Sequence, residues 1–371
     1  MKILVDAHSF DRDVAEGMTT YVKGLYRELT EMAPEVDFYF AANDIEKLKS
    51  IFGNAPNIHY VKLKSKRRFR RMLFEYPMLI KKLGIDMAHF QYFSPFLKNC
   101  RTVVTLHDVL FKDFPENFPK SYRLTRNIIF GRSARKADII ATVSEYSRGR
   151  ISKHYDIDAK RISVTPNAVD DAFFKADRQN ARKSIYARGI RPFILNVSRI
   201  EPRKNQLALV KAYVELGLAD RGYDLVLINR KALPYDELES YISSLPKKVL
   251  RHIHRMDGLP HKDLIDWYAA ASLFVFPSLG EGFGIPPLEA GATGTPVICS
   301  NVTAMGDFSF FGSNLADLSN VDSLKRLIKE NLDNPPSEQE LATIAQEIRK
   351  KYSWKTSARI LYRQLISKPR H

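Results

Sequence analysis

The segment from Leu273 to Val297 constrains this chain more than any other. Leu273-Phe-Val-Phe276 is a short apolar run of the kind that forms a strand buried on both faces of a parallel sheet, and Pro277 ends it. Glycines follow at 280, 282 and 284, so the backbone there can approach a ligand closely. Pro286 and Pro287 suit the first turn of a helix, where a missing N–H costs nothing, and Glu289 is expected in that same turn. The segment reads as strand, glycine loop and helix N-terminus, with two carboxylates, Glu281 and Glu289. A helix N-terminus beneath a flexible loop favours a phosphate. The carboxylates would repel one and instead suit sugar hydroxyls, which donate hydrogen bonds to them. A ligand carrying both phosphates and sugars, such as a nucleotide sugar, answers both requirements.

Three further places point to the same chemistry. Phe193-Ile-Leu-Asn-Val-Ser198 reads as a strand, followed by Arg199-Ile-Glu-Pro-Arg203-Lys204-Asn205 and a helix from Gln206 to Leu216. Three cations near a strand end make an anion clamp, in which Arg offers a planar fork and Lys a point charge. Arg101-Thr-Val-Val-Thr-Leu-His107-Asp108 is a buried strand ending in polar residues. Ligands of open α/β sheets bind beyond the carboxyl ends of the strands, so His107 is placed to reach a substrate. Gly17 lies where a loop meets a helix running from Thr19 to about Met32, and its N–H can face a phosphate.

The run PS-x-x-EGFG-x-P-x-LEA-x-A-x-G-x-PV, residues 277–297, resembles the signature of retaining GT-B glycosyltransferases of family 4. SRIEPRKN, residues 198–205, is similar to that family's G-x-(I/D)-EPRKN loop, and the family carries an HD pair where His107-Asp108 stands. The resemblance covers nearly the whole chain. It implies an α/β fold of the GT-B kind, with two Rossmann-like domains facing each other across a cleft and a C-terminal helix bearing Trp354 that returns to the first domain. The expected division is an acceptor domain over 1–170, a linker over 171–191, a nucleotide-sugar domain over 192–352 and the returning helix over 353–371. By the same resemblance His107, Arg199, Lys204 and Glu281 are the catalytic group, with Arg199 and Lys204 neutralising the leaving diphosphate. The donor is held by these together with Gly17, Met256, Gly282, Phe283, Gly284, Ile285 and Glu289, the last on the ribose hydroxyls. The reaction implied is retaining transfer of a hexose from a nucleotide sugar to a saccharide or lipid-linked acceptor, in the metal-free manner of the family and with no other cofactor. EPRKN is frequent among its mannosyltransferases, so GDP-mannose leads as donor. The chain departs from the pattern in places. Gly291 replaces a more usual methionine or alanine, Asn229-Arg-Lys231 replaces glycines, and Phe308-Ser-Phe-Phe311 is unusual after Gly306-Asp307.

Composition bounds what else the chain can be. Its 371 residues suggest two domains, and no apolar run reaches the ~20 residues that span a bilayer. The N-terminus reads as a strand and not as a signal peptide. With Cys100 and Cys299 as the only cysteines, placed in different domains, a disulfide is not expected and a reducing cytoplasm is the default. Asp11-Arg-Asp13 matches a metal-holding D-x-D pattern of another glycosyltransferase class, but it follows the first strand, where that class does not carry it. His252 and His254 share one face of a strand with no third ligand in view, so no metal is expected there.

The net charge of +16 draws the protein to phosphate-rich surfaces. Lys62-Leu-Lys-Ser-Lys-Arg-Arg-Phe-Arg-Arg71 gives way to Met72, Leu73, Phe74, Tyr76, Met78, Leu79 and Ile80, a pattern that suits an anionic membrane surface or an ordinary core helix after a basic loop. The expected location is cytoplasmic, with contact at the inner membrane face. Nucleic acid is not the expected partner. A nucleic-acid-binding protein, a non-catalytic nucleotide-sugar-binding protein and a nucleotide-sugar epimerase are the rival readings.

Overall fold

A computed structural model of the chain describes residues 1–11, 17–231 and 233–367. It forms two compact units. One comprises Met1–Ala168 together with the chain from Tyr352 onward, the other Val169–Lys351.

The first unit is built on a seven-stranded parallel sheet in the order β3-β2-β1-β4-β5-β6-β7. These strands are β1 (Lys2–Asp6), β2 (Asp37–Ala42), β3 (Ile58–Lys62), β4 (Met87–Gln91), β5 (Arg101–Thr105), β6 (Ile139–Thr142) and β7 (Ile162–Val164). Residues of β4 and β6 are buried throughout, as in a sheet covered on both faces, and in β4 the buried residues include the polar His89 and Gln91. The order reverses between β1 and β4, which pair with Ile3 beside Met87 and Val5 beside His89. Such a reversal opens a crevice beyond the carboxyl ends of the strands.

The helix Gly17–Met32 turns Tyr21, Val22, Leu25, Tyr26 and Leu29 inward, the face its apolar spacing dictates. The helix Trp354–Ile366 lies against it. Ser353 caps that helix by accepting the Thr356 N–H. Ser357 donates to the Pro166 carbonyl at 2.7 Å and Tyr362 to Glu35 at 2.6 Å. The Trp354 indole packs over Gly24. The expectation that a tryptophan-bearing C-terminal helix returns to the first domain holds.

The second unit carries a six-stranded parallel sheet in the order β10-β9-β8-β11-β12-β13. Its strands are β8 (Phe193–Ile200), β9 (Asp224–Lys231), β10 (Ile253–Met256), β11 (Leu273–Phe276), β12 (Val297–Ser300) and β13 (Leu315–Ala316). Residues 171–191, read as a linker with a short helix, do contain that helix: Asp177 caps Arg178–Tyr186, Ala181 and Ile185 of it are buried, and the segment belongs to the second unit. The strand that the sequence suggests over Val249–Asp257 is confined to Ile253–Met256, and Val249 lies in a short helix, Lys247–Leu250. His252 and His254 both bond the Asp224 carboxylate, at 3.1 and 2.9 Å, which Arg191 also holds at 2.7 Å. They are a structural pair tying β10 to β9. Cys100 and Cys299 lie in different units and are free thiols.

Candidate functional site

The carboxyl ends of β8 and β11 lie side by side in the second unit, and Lys204, Arg199 and Glu281 gather there. β8 ends at Ile200, and the chain turns through Pro202–Lys204 into the helix Gln206–Glu215. Asn205 makes that turn with φ of 55°, a left-handed conformation that Asn tolerates better than most side chains. The turn sends Arg203 and Lys204 inward, both less than a tenth exposed. β11 ends at Phe276, and the loop Ser278–Gly284 wraps over them.

Lys204 Nζ pairs directly with Glu281 Oε1, and it lies 5.3 Å from the centre of the Phe276 ring. Ser278 donates to the same Glu281 oxygen at 2.7 Å, and the Glu281 N–H donates to Thr303 Oγ1 at 2.8 Å. Arg203 donates to the Gly280 carbonyl. It also stands 3.5 Å from Glu281 Oε2 and 3.0 Å from Glu201. Arg199 reaches Glu201 at 2.9 Å, with more than half of its side chain exposed. The three cations are thus not an open clamp, as the sequence suggested, but a ladder of ion pairs. Arg203 is committed to the loop backbone. Lys204 and Arg199 each keep donors to spare, since an ammonium has three N–H groups and a guanidinium five.

Burial alone would raise the Glu281 pKa, but Lys204 and Arg203 outweigh it and hold the carboxyl at about 2. Burial also draws the Lys204 ammonium below the usual lysine value, with Glu281 opposing. Thr303, whose φ of 56° is unusual for a β-branched residue, anchors Glu281 from 22 residues away.

Glu289 sits lower than expected. The helix runs Ile285–Ala292 from Gly284, so Pro286 and Pro287 are its second and third residues and Glu289 lies in the second turn. Its carboxylate accepts from the Tyr268 hydroxyl at 2.9 Å. Burial, together with the charge of Asp170, raises its pKa to about 7 despite that bond. The raised value has two consequences. In the free protein the buried charge costs stability progressively from the ordinary glutamate value of 4.5 up to about 7, so stability from this group falls as pH rises through that window. Ribose hydroxyls, in contrast, reward the ionised form. Nucleotide affinity, measured by calorimetry, is therefore expected to rise about tenfold per pH unit toward pH 7 and level off above it. Glu289→Gln should flatten that profile and cost ~1.5–3 kcal/mol of binding. A flat profile in the wild type, or unchanged affinity in the variant, removes Glu289 from the nucleotide site.

The departures from the family pattern explain one another. A Cβ on Gly291 would lie 3.1 Å from the Phe311 ring and 2.6 Å from Ile348 Cδ1. Phe311 comes from the unusual Phe308–Phe311 run, so the larger aromatic fills the space a bigger residue at 291 would take. Phe308 in turn packs edge-on to Phe283, ring centres 6.0 Å apart. Gly284 has φ of 95°, and a Cβ there would meet Met305 at 2.9 Å. Gly282 and Phe283 are buried in the loop and Ile285 begins the helix. Met256 ends β10. Two residues beyond it, Gly258 lies under the Arg230 guanidinium, whose Nη2 would be 2.9 Å from a Cβ there. The cationic replacement for the family's glycines thus lines the loop after β10.

Gly17 and His107 belong to the first unit. Gly17 opens its helix, exposed, with nothing within 4 Å of a built Cβ. Asp13 lies outside the described residues. Asp11 accepts the Asn43 and Asp44 N–H groups, each at 2.8 Å, and so anchors the loop after β2. His107, two residues past the end of β5, donates from Nε2 to Gln91 Oε1 at 2.8 Å. Burial lowers its pKa to about 3, so the ring is neutral and Nδ1 is left as an acceptor suited to a hydroxyl. Tyr21 packs edge-on to it at 5.0 Å. Gln91, Ser278, Thr303 and Tyr268 were not singled out from the sequence. Only Ser278 lay within a quoted motif.

Two parallel-sheet α/β units, with ionic and glycine-loop chemistry at strand carboxyl ends, define a GT-B glycosyltransferase fold. The comparisons agree. The glycosyltransferase family 4 model matches residues 15–173, and that of glycosyl transferases group 1 matches residues 177–348. The chain belongs to this family. It is 32% identical over 260 residues to the O-antigen chain mannosyltransferase B of Escherichia coli, covering 68% of this chain and 67% of that one. It is 31% identical over 232 residues to the serotype-specific mannosyltransferase WbdA of the same organism, covering 61% of this chain but only 28% of the larger protein. The fold matches a sucrose-phosphate synthase of Thermosynechococcus elongatus with a TM-score of 0.75 at 20% identity, over 98% of both chains. It also matches Anabaena HepE, solved with UDP-glucose, with a TM-score of 0.74 at 16% identity over 98% and 99% of the two chains.

Proposed function

We propose that this glycosyltransferase moves mannose from GDP-mannose, with retention, to a saccharide or lipid-linked saccharide during surface polysaccharide or glycan synthesis. The observation that carries the sugar assignment is the 32% identity to an O-antigen mannosyltransferase. The chemistry rests on the Lys204–Glu281 pair. Glu281, kept ionised, accepts hydrogen bonds from donor-sugar hydroxyls. Lys204 and Arg199 turn their remaining donors to the diphosphate, and a neutral His107 accepts a sugar hydroxyl at Nδ1. As the C1–O bond to the diphosphate breaks, the acceptor oxygen bonds to C1 from the same face and its proton passes to the departing diphosphate oxygen. Charge growing on that oxygen is met by the two cations and by the N–H groups of the Gly282–Ile285 turn. This needs no metal, and no other cofactor is proposed.

Among the described residues no helix is long and apolar enough to cross a membrane. We place the protein in the cytoplasm, visiting the inner membrane face. A thermal-shift screen over GDP-, UDP- and ADP-sugars tests the donor. The right one at ~100 times its dissociation constant adds ~2.7 kcal/mol, and transfer should survive excess EDTA. The largest shift with UDP-glucose overturns GDP-mannose. Loss of activity in EDTA with rescue by Mn²⁺ overturns metal-free transfer. Turnover without acceptor points to an epimerase, and binding that is steeply salt-dependent and indifferent to nucleotide sugars points to nucleic acid.

A further inference from the structure

The first unit carries an exposed surface that the donor chemistry does not use. Of the 13 large hydrophobic side chains exposed among the described residues, nine lie on three of its segments. Phe69, Leu73, Phe74 and Met78 belong to the helical stretch from Arg68 to Leu83. Phe96 and Leu97 belong to the loop after β4, and Tyr122, Leu124 and Ile128 to the helix Lys120–Lys136. The segments are neighbours. Ile129 of the last helix packs against the core cluster to which Met72, Tyr76 and Ile80 of the first and Phe93 of the loop belong. Arg132 lies over the Phe96 ring at 4.2 Å and donates to its carbonyl. Single exposed apolar residues are ordinary, but a contiguous group of them marks a contact surface.

The charge around this surface is of one sign. The helix Lys120–Lys136 holds six basic residues and no acidic one. From Lys62 to Lys82 there are nine basic residues and one acid, Glu75. Glu75 turns its carboxylate back onto the N–H groups of Lys64 and Ser65. Arg71 is buried and donates to the Ser65 and Lys66 carbonyls. The basic run is thus clasped into a loop by Arg71 and Glu75, and its remaining cations frame the surface.

Between the two helical segments runs a groove of about 390 Å³, walled by Arg68, Phe69, Phe93, Tyr122 and Arg126 with no carboxylate in its lining. Arg68 stacks over Phe93 at 5.0 Å and its buried Nε has no partner. Arg126 stacks over Tyr122 at 5.1 Å. Neither guanidinium has an ion pair or hydrogen-bond partner among the described residues. Burial, and then the charge of Arg126, lower the pKa of Arg68 to about 10, with the charge of Asp6 opposing. A phosphate would offset the two cations, and paired guanidiniums match phosphate oxygens in geometry.

We propose that this surface docks on an anionic lipid leaflet, with the groove between Arg68 and Arg126 taking a lipid phosphate and the flanking Phe74, Leu124 and Ile128 entering the outer acyl layer. It extends the reading of a membrane-carried acceptor. Lipid binding is measured without donor or acceptor, so it can fail while glycosyl transfer stands.

The test is co-sedimentation of the full chain with phosphatidylcholine vesicles, with and without phosphatidylglycerol, at low and high salt. The wild type should bind only the anionic vesicles. Arg68→Gln with Arg126→Gln should weaken that binding about thirtyfold, from roughly 1 kcal/mol per basic residue near the surface. Leu124→Ser with Ile128→Ser, both exposed, should weaken it with the cations intact. Lys247→Gln with Lys350→Gln, which removes equal charge from the second unit, should not. Circular dichroism melts confirm folding, and Arg68→Lys with Arg126→Lys, which keeps the charge without the fork, should retain part of the binding. Equal loss in the Lys247/Lys350 variant overturns the site in favour of diffuse electrostatics. Protection of the groove by inorganic phosphate, in a protein that ignores vesicles, overturns the lipid and assigns a free phosphate. Binding by the Arg68/Arg126 variant equal to wild type overturns the groove.

Discussion

Replacing Lys204 with alanine is expected to cost both catalysis and stability. Turnover should fall by roughly 10²–10³, or ~2.7–4 kcal/mol, the scale set by removing one donor aimed at a growing negative charge. The fold should lose about 3–5 kcal/mol, because Glu281 would remain ionisable and buried with only Arg203, at 3.5 Å, and Ser278 to hold it. From the sequence alone a surface cation would have affected turnover far more than folding. Its burial against Glu281 makes both effects large. A double variant, Lys204→Met with Glu281→Gln, separates them. Removing both charges should restore most of the stability, since a buried pair replaced whole is often near neutral, while turnover stays low. Denaturant melts and single-turnover transfer assays read the two quantities. A single variant that melts like wild type and turns over within twofold of it would remove Lys204 from the diphosphate site.

Gly24→Ala is expected to be the most damaging small substitution in the first unit. A Cβ on Gly24 would fall inside the Trp354 indole, a rigid ring that cannot turn aside as a flexible chain end would. Overpacking of this kind costs ~1–3 kcal/mol and occasionally more, and here the upper end applies because the contact joins two whole helices. Trp354 reports it directly. The only other tryptophan, Trp267, is buried in the second unit, so a red shift in emission assigned by a Trp267→Phe background measures undocking. Unchanged emission and melting temperature would mean that the two helices are not held at this contact.

Much of the architecture was legible because the central strands are buried on both faces and therefore read as unbroken apolar runs. The helix Gly17–Met32 was legible because its polar residues fall on one side. In the segment 171–191 a short helix was legible but its docking was not. Arg178, Arg182 and Lys183 dominate its composition, while the buried residues that dock it, Phe173, Ala181 and Ile185, are too few to give a period. The helix Lys120–Lys136 escaped notice for the opposite reason. Phe130 and Ala134 face inward and Leu124 and Ile128 face solvent, so its apolar residues ring the helix and no stripe emerges. At the site, residue types and spacing located the chemistry but not the pairing. Thr303 is 22 residues from Glu281, Tyr268 is 21 from Glu289 and Gln91 is 16 from His107. Nothing local to those positions announces the contact. Glu289 was misplaced by a turn because the two prolines occupy the second and third helical positions rather than the first.

The first unit is interrupted in sequence by the whole of the second. A ribosome making this chain releases the seven strands of the first sheet early, but the helix that covers Gly24 and Tyr21 emerges only after the whole of the second unit. The second unit, one uninterrupted stretch from Val169 to Lys351, has every element it needs before then. The usual order of vectorial folding, amino-terminal domain first, is therefore inverted at the last step. The first unit waits half-clothed while the second matures, and a stop falling between Lys351 and Trp354 would strip the helix from a unit whose strands were made long before.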